Sequence, residues 1–372
     1  MRILYGVMGE GMGHATRSRV VIEHLLERHE VKAIASGGAY RYLDEHLPRV
    51  REVLGLSFAM GEGQIRRWDT FLQNVRLARG DLPAQMKEFF DAIDAWEPEV
   101  VVTDFEPLAA LYARLRRVPL VAVDNIQVVD RCRHAREITQ GSVDDFLLTR
   151  AVVRAMVPQA SEYLVTTFFD APPAKQHTTL IPPILRPEIV GARAQRGDHL
   201  LVYSSGEKRL LDKLRASGVP CRVYGMRGGV SETVVDGSLT FRPKSNEGFV
   251  EDLRTARAVV AGGGFSLMTE AIYLGKPMLA IPLRGQFEQV MNARYLARLG
   301  YGVCAESISA DVLGSFVERL DEYETTLAGY EQDGNAAALR AISESLAYAA
   351  GSTDAARAKS RAPKLGRRAT FG

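Results

Sequence analysis

Cysteine is scarce in this chain, and the few residues of this type lie far apart. Cys132, Cys221 and Cys304 are odd in number, which disfavours a disulfide framework and favours reduced thiols in the cytosol. His134 lies close to Cys132, but no second pair of ligands completes a zinc site. The chain also lacks a D-x-D motif, so we expect no metal site.

Long apolar runs and a strong charge imbalance are also missing. No window approaches the roughly 18 apolar residues of a membrane span. The first strand pattern, Arg2 to Val7, follows Met1 directly and is too short and glycine-rich for a signal peptide, so we expect a cytoplasmic protein. A formal net charge of +2 is too mild to indicate nucleic-acid binding. With 46% hydrophobic residues, the 372 positions suffice for two ordinary domains.

An ordered pattern between Ala258 and Gly302 stands out. The apolar run from Ala258 to Ala261 predicts a strand, and glycines 262 to 264 separate it from a helical pattern that ends before Gly275. Glycines at a helix N-terminus leave N–H groups free, and the helix dipole favours a phosphate there. Glu270 lies about two turns into the predicted helix, within reach of a ribose beside the phosphates. Together these features predict a nucleotide site.

Polar residues follow the next predicted strand, Met278 to Ile281. Glu288, Gln289 and Asn292 come after it, in the crevice where open parallel sheets bind ligands. An ordinary βαβ unit explains the glycines but not these acidic and amide residues. We therefore interpret the whole stretch as a nucleotide-sugar site.

This stretch resembles the GT-B glycosyltransferases, in particular the branch with the peptidoglycan N-acetylglucosaminyltransferase and the plant and macrolide glycosyltransferases. The matching pattern is the glycine turn, Thr269-Glu270-Ala271, Gly275-x-Pro277, Pro282, Glu288-Gln289 and Asn292-Ala293. The resemblance implies that Glu270 binds the ribose hydroxyls and that Glu288 and Gln289 hold hydroxyls of the donor sugar. It assigns the diphosphate to Gly263, Gly264, Phe265 and Ser266.

Two further donor contacts follow from the same resemblance. Ser205 and Gly206 come after the first strand of the second half, where the family has a diphosphate-contacting loop. Phe241 and Arg242 end its third strand, where relatives hold the base through the backbone. Arg242 has the alternative of being a surface charge.

The N-terminal glycine loop does not fit a dinucleotide site. Its glycines fall at positions 9, 11 and 13 and His14 follows, so G-x-G-x-x-G is not satisfied, and no acidic residue ends the second strand. A nicotinamide cofactor is not expected. The loop instead resembles that of the GT-B branch: Gly11 and Gly13 would lie on the acceptor side, and His14 would act as base or position the acceptor. The alternative is a helix-capping histidine without a chemical role.

Asp104 ends a buried strand pattern that begins at Glu99, and its carboxylate should face the same crevice as His14. In the plant relatives an aspartate here orients the catalytic histidine, so Asp104 is the expected partner of His14. On spacing alone it has an alternative role as cap of the helix that begins near Pro107. A second motif with two interpretations is the helical face of Trp68, Phe71, Leu72 and Val75, which is either core or, with nearby arginines, the lining of an acceptor cleft.

The predicted fold is α/β, with two doubly wound Rossmann-like domains facing across a cleft. Residues 1–185 form the acceptor-side domain, 199–330 the donor domain, and 331–351 a C-terminal helix returning to the first domain. Residues 352–372 are expected to be a disordered basic tail, with an alternative contact to an anionic membrane surface at about 1 kcal/mol per basic residue. In that case the cytoplasmic protein would be peripheral at the inner membrane surface.

The predicted function is that of an inverting glycosyltransferase of the hexosyl or N-acetylhexosaminyl type. Its co-substrate is a nucleotide diphosphate sugar, expected to be UDP-linked, with no separate cofactor and no required metal. The acceptor is left open between a lipid carrier, a glycan and a small aglycone. Two alternatives are a sugar-nucleotide epimerase or hydrolase of the same fold, and a non-catalytic nucleotide-sugar-binding protein.

Overall fold

A computed structural model of the chain describes residues 1–9, 11–53, 60–61, 64–65, 82–204, 208–225 and 230–361. The predictions for Ser205 and Gly206, for the helical face from Trp68 to Val75 and for residues 362–372 lie outside these ranges. No helix among the described residues is long and apolar enough to cross a bilayer.

The first half of the chain forms a seven-stranded sheet with helices on both faces. Its strands are β1 (Arg2–Val7), β2 (Glu30–Ala35), β3 (Val50–Glu52), β6 (Val100–Asp104), β7 (Leu120–Asp124), β8 (Glu162–Thr166) and β9 (Thr178–Ile181), and a separate small hairpin pairs β4 (Met60–Gly61) with β5 (Gln64–Ile65). Its helices are α1 (Met12–Leu26), α2 (Gly37–Asp44), α3 (Leu82–Asp94), α4 (Pro107–Arg116), α5 (Val128–Arg131), α6 (Arg136–Thr139) and α7 (Val143–Met156).

The second half repeats this architecture after the short helix α8 (Pro187–Val190). Its seven-stranded sheet contains β10 (Leu200–Tyr203), β11 (Cys221–Tyr224), β12 (Val234–Asp236), β13 (Leu239–Phe241), β14 (Ala258–Ala261), β15 (Met278–Ala280) and β16 (Gly302–Cys304). Its helices are α9 (Lys208–Ser217), α10 (Asn246–Arg254), α11 (Phe265–Tyr273), α12 (Phe287–Arg298), α13 (Ala310–Glu318), α14 (Leu320–Leu327) and α15 (Ala336–Arg361).

Both sheets reverse their strand order at one point. The first runs β3-β2-β1-β6-β7-β8-β9 and the second β12-β13-β11-β10-β14-β15-β16. The central strands are parallel and buried on both faces, which is why they read as continuous apolar runs. The order therefore reverses between β1 and β6, and again between β10 and β14, and such switch points open a crevice at the carboxyl ends of the strands. The prediction of two doubly wound α/β sheets is confirmed.

The two halves pack tightly against each other. One hydrophobic cluster contains buried residues from both, such as Val101 and Met268. At the junction, the ring of Phe169 stacks on that of Tyr295 at 3.7 Å between centroids, and Arg294 Nη1 donates to the backbone oxygen of Ile138 at 2.7 Å. The halves thus meet through an ordered interface.

The last helix packs on the first sheet. Its buried residues Ala338, Ile342 and Leu346 recur every four positions and join the core of β1, β2 and β6. Helix α15 continues to Arg361, past residue 352, where the sequence predicts the start of a basic tail. The physical reason is composition: alanine and arginine are strong helix formers, and an established helix propagates at little cost.

Candidate functional site

The switch point of the first sheet brings His14 and Asp104 together. Strands β1 and β6 are neighbours, with Val7 paired to Asp104, so the loop after β1 and the end of β6 share one edge. His14 lies in the first turn of α1, and its Nδ1 is 2.8 Å from Asp104 Oδ1. The His14 side chain is 22% exposed and that of Asp104 is fully buried. Because Nδ1 faces the carboxylate, Nε2 lies on the opposite side of the ring.

A third residue, Arg17, joins this pair. Its Nε donates to Asp104 Oδ2 at 2.7 Å and its Nη2 to Asp104 Oδ1 at 2.5 Å, while Ser18 Oγ donates to Oδ2 at 2.9 Å. Burial works to raise the pKa of Asp104, but the charges and hydrogen bonds of Arg17 and His14 outweigh it and lower that pKa to about 2. The carboxylate is therefore ionised at neutral pH.

Arg17 also competes with Asp104 for the His14 ring. Its Nη2 lies 2.7 Å from His14 Nδ1. A guanidinium only donates and a carboxylate only accepts, so Nδ1 satisfies one of the two at a time. When Nδ1 carries the proton it donates to Asp104, and the Nε2 lone pair is left for the cleft. When Nδ1 accepts from Arg17, Nε2 carries the proton and is no base.

The sequence reasoning missed Arg17, although a signal existed. Arg17 follows His14 by three positions, and residues three apart lie on the same helix face. A helical histidine that points at a carboxylate therefore brings the side chain at i+3 to the same carboxylate.

The capping alternatives for both residues are wrong. Glu106 caps α4: its Oε1 accepts from Leu108 N at 3.0 Å and its Oε2 from Ala109 N at 2.6 Å. Phe105 has a φ of 57°, and this left-handed turn separates Asp104 from the helix that follows. At α1 the N-cap is Gly11, with a φ of 85°, and no described side chain caps it.

On the donor side, the glycine turn lies against Gln289. Gly264 is the N-cap of α11, and no described side chain caps this helix. Gly263 N donates to Gln289 Oε1 at 3.1 Å, and a Cβ on Gly263 would collide with the backbone of Gln289. Glycine is thus required here by the close approach of α12. The N–H groups that begin α11, from Phe265 and Ser266 onward, remain the ones suited to a diphosphate.

The Gln289 amide is already engaged. Its Oε1 accepts from Leu283 N at 3.1 Å as well as from Gly263 N, and its Nε2 donates to Gln286 Oε1 at 2.5 Å. An amide has two acceptor lone pairs and two N–H donors, so one Gln289 N–H has no partner among the residues that the structure describes. Gln289 therefore fixes the shape of the glycine turn in addition to its predicted role.

Glu270 has a partner that the sequence did not suggest. Arg186 Nε and Nη2 donate to its two carboxylate oxygens at 2.7 and 2.8 Å, and both side chains are about nine-tenths buried. A further nitrogen of Arg186 donates to Asn246 Oδ1. Burial raises the pKa of Glu270, and the charge of Arg186 opposes that rise. The predicted ribose carboxylate is thus held in a bidentate ion pair, which fixes its orientation.

Phe241 and Arg242 are part of the second sheet and its supports. Phe241 is buried in the core, and Arg242 N donates to Val223 O at 2.9 Å. Arg242 Nε donates to Oδ2 of the fully buried Asp252 at 2.8 Å, so this arginine is half-buried rather than a free surface charge. A contact of either residue with a base stays a prediction.

The acceptor-side loop and the donor turn meet across the junction. A Cβ on Gly13 would collide with Ser266 Oγ, so the first turn of α1 and the first turn of α11 are in van der Waals contact. Glu288 lies nearby: burial raises its pKa, whereas the charges of His14 and Arg17 lower it. The structure therefore brings His14, Asp104, Ser266 and Glu288 into one region between the two switch points.

The fold agrees with comparisons to known proteins. The sequence profile of the family described as "Glycosyl transferase family 1" matches residues 1–321. The chain belongs to this family. A relative from Methanosarcina mazei, named an uncharacterized glycosyltransferase, is 25% identical over 357 residues, covering 81% of this chain and 85% of its own length.

Two further comparisons place this glycosyltransferase in the GT-B group. A Bacillus cereus protein named UDP-N-acetylglucosamine–N-acetylmuramyl-(pentapeptide) pyrophosphoryl-undecaprenol N-acetylglucosamine transferase 3 is 24% identical over 309 residues, covering 74% of this chain and 79% of its own length. The solved structure of the glycosyltransferase VinC in complex with dTDP has a TM-score of 0.62 at 14% identity and covers 94% of this chain and 100% of its own. The resemblance first noted in the region from Ala258 to Gly302 is confirmed.

Proposed function

We propose that this glycosyltransferase transfers a hexosyl or N-acetylhexosaminyl group from a nucleotide diphosphate sugar to an acceptor hydroxyl, with inversion at the anomeric carbon. The observation that carries the proposal is the convergence of His14, Asp104 and the α11 N-terminus at the junction of the two halves. A base, its orienting carboxylate and a diphosphate site are the parts that such a transfer needs.

His14 takes the proton of the acceptor hydroxyl. As this oxygen attacks the anomeric carbon, the proton moves to Nε2, and Asp104 holds Nδ1–H and stabilises the imidazolium. The bond to the donor diphosphate breaks on the opposite face of the sugar, which inverts the anomeric centre. Charge develops on the leaving diphosphate, where the uncapped N–H groups of α11 are already oriented to stabilise it. These groups do the work without a metal ion.

We propose UDP as the nucleotide, with dTDP as the competitor to test. The Bacillus cereus relative carries UDP in its name, and the VinC structure holds dTDP. Glu270 would bind the ribose hydroxyls and Glu288 and Gln289 those of the sugar. The acceptor is a lipid carrier, a glycan or a small aglycone.

The proposal is tested by thermal-shift titration followed by turnover. The nucleotide that binds raises the unfolding midpoint by mass action, so UDP, dTDP and their glucose and N-acetylglucosamine derivatives are compared at equal concentration. Nucleotide release is then measured with and without acceptor extracts. Release that depends on acceptor supports transfer. Equal release without acceptor indicates a hydrolase, a changed sugar without release indicates an epimerase, and binding without turnover indicates a binding protein.

A further inference from the structure

Three cationic side chains from separate segments surround one buried carboxylate in the first half of the chain. The carboxylate belongs to Asp130, on the short helix α5, and this residue is 4% exposed. Arg150 and Arg154 lie about one turn apart on α7, and Lys175 lies in the connection between β8 and β9. We call these four residues the Asp130 cluster. Its three positive charges exceed its single negative charge.

Asp130 holds one nitrogen of each cation in place. Arg150 Nε and Arg154 Nε donate to its Oδ1 at 3.1 and 2.6 Å, and Lys175 Nζ donates to its Oδ2 at 2.5 Å. Burial works to raise the pKa of Asp130, but these hydrogen bonds outweigh it and lower that pKa, so the carboxylate is ionised at neutral pH. The Nη atoms of both arginines have no hydrogen-bond partner among the described residues. The cluster thus has unpaired N–H donors on side chains that are 30 to 51% exposed.

The surroundings of the cluster do not cancel its positive charge. Cys132 forms an isolated β-bridge with Pro173, which aligns the end of α5 with the segment that carries Lys175. Arg131 and Arg133 flank Cys132 and add two further cations beside this segment. The segment itself contributes one acidic residue, Asp170. Positive charge therefore still exceeds negative charge around the cluster.

This arrangement has the chemistry of a phosphate site. A phosphate monoester carries a charge of about −1.5 to −2 at neutral pH and has three strong acceptor oxygens. Two guanidinium groups and one ammonium group supply donors for three oxygens, and the planar guanidinium matches phosphate geometry. A single ion pair with Asp130 would need only one of the three cations. Two more are held beside it in spite of their mutual repulsion, and a bound dianion would offset that repulsion.

The cluster is separate from the proposed donor site. Ser142 is the N-cap of α7, and its Oγ accepts from Arg294 Nη2 at 3.2 Å, so this end of the helix lies against the second half. Arg154 lies about 18 Å further along the helix axis, at 1.5 Å per residue. A ligand on the cluster would therefore not occupy the α11 N-terminus.

We propose that the Asp130 cluster binds a phosphate group through Arg150, Arg154 and Lys175, at a second anion site of this protein. Asp130 is a positioning residue, because it fixes the cations and leaves their remaining N–H groups to the ligand. The phosphate is that of a soluble phosphate ester or of a phospholipid head group, which present the same charge and oxygens. This inference does not depend on the function proposed above.

The test measures phosphate binding by calorimetry and vesicle binding by co-sedimentation. The soluble probes are inorganic phosphate and glycerol 3-phosphate, with chloride at equal ionic strength as the blank and excess UDP present to fill the proposed donor site. The vesicles are phosphatidylcholine with and without phosphatidic acid. The variants are Arg154→Gln and Arg154→Lys, in which Arg150 and Lys175 still pair with Asp130. The matched control is Arg116→Gln on α4, because Arg116 is similarly exposed and pairs with Asp94 alone.

The wild type is expected to bind phosphate in a saturable manner that weakens with added salt, since the charges are partly exposed. Arg154→Gln should lose roughly tenfold or more in affinity, which corresponds to about 1.4 kcal/mol. Arg154→Lys should lose less, because it keeps the charge but not the planar fork. Arg116→Gln should bind like the wild type. Binding of glycerol 3-phosphate alone identifies a soluble ligand, and added retention on phosphatidic acid that Arg154→Gln lacks identifies a lipid head group.

Two results overturn the inference, and neither bears on the proposed transfer reaction. One is a wild type that binds none of these phosphate probes more strongly than the chloride blank or the phosphatidylcholine vesicles. The cluster would then only tie α5, α7 and the connection before β9 together. The other is an equal affinity for phosphate in the wild type and in Arg154→Gln, which would place the bound anion elsewhere.

Discussion

The role of Asp104 is best tested by removing charges singly and in pairs. Asp104 holds His14 but also neutralises Arg17, so Asp104→Asn alone has two effects. It removes the group that orients the imidazole, and it leaves a guanidinium that is 94% buried without its counter-charge. A simple loss of activity in this variant would therefore not distinguish catalysis from folding. The double variant Arg17→Met/Asp104→Asn removes both charges and separates the two effects.

The expected magnitudes follow from the burial of the pair. The pKa of Asp104 is lowered from 3.8 to about 2, which corresponds to about 2 to 3 kcal/mol of stabilisation above pH 4 that is lost as the pH falls towards 2. Breaking a buried ion pair by removing one partner costs about 3 to 5 kcal/mol, whereas removing both partners is close to neutral. Asp104→Asn should thus lower the unfolding midpoint by roughly 6 to 12 °C for a loss of about 3 kcal/mol. The double variant should recover most of that loss, and His14→Ala, which keeps the pair, should stay near the wild type.

Activity is expected to follow a different order. His14→Ala and the stable double variant should each lose roughly 10²-fold or more in turnover, because one lacks the base and the other the carboxylate that orients it. Adding His14→Ala to the double variant should cost little more, since the groups act as a unit. Recovery of near wild-type turnover in the double variant would refute the reasoning, because Asp104 would then serve only to balance Arg17. Full activity of His14→Ala would show that a residue other than His14 acts as the base.

Three further outcomes are expected. Glu270→Ala should make the binding free energy of UDP and of UDP-sugars, measured by calorimetry, less favourable by about 1 to 3 kcal/mol in both cases. An unchanged affinity would show that Glu270 is not part of the ribose site. Gln289→Ala should lower the affinity for a UDP-sugar more than the affinity for UDP. The affinity for UDP should also fall, because Gln289 holds the glycine turn in place. Equal losses of affinity would mean that Gln289 acts only through the turn. Asp124 is buried, and this burial raises its pKa from 3.8 to about 8, so native stability falls as the pH rises through that range. Asp124→Asn should abolish this fall. In urea unfolding, the free energy of unfolding of the variant minus that of the wild type should therefore increase by up to about 1.4 kcal/mol per pH unit from pH 5 to pH 8. A difference that stays constant over this range would show that Asp124 is ionised in the native state.

The sequence predicted the parts of the site that follow from strand order. His14 and Asp104 were expected together because both follow parallel strands, and parallel strands deliver their carboxyl ends to one edge. The alternation of apolar runs with segments of helical periodicity likewise predicted the two doubly wound sheets. The antiparallel edge strand β12 was missed, since Val234 to Asp236 is too short to show alternation.

Contacts that depend on tertiary packing were beyond the sequence pattern. Arg186 and Glu270 are 84 positions apart and lie on a connecting segment and a helix, so no spacing rule links them. The choice of cap at α4 shows the same limit at short range. Asp104 and Glu106 both precede Pro107, and only the left-handed turn at Phe105 decides which carboxylate faces the helix.

The Arg186 pair changes how Glu270 is expected to act on a nucleotide. A lone carboxylate near the donor turn would bind ribose hydroxyls but repel the adjacent diphosphate. The bidentate contact with Arg186 occupies two of about four lone-pair positions on the carboxylate, so two remain for the hydroxyls. At the same time the guanidinium cancels the negative charge. We therefore expect Arg186 to let the predicted ribose site keep a strong hydrogen-bond acceptor without weakening the attraction of the α11 N-terminus for phosphates.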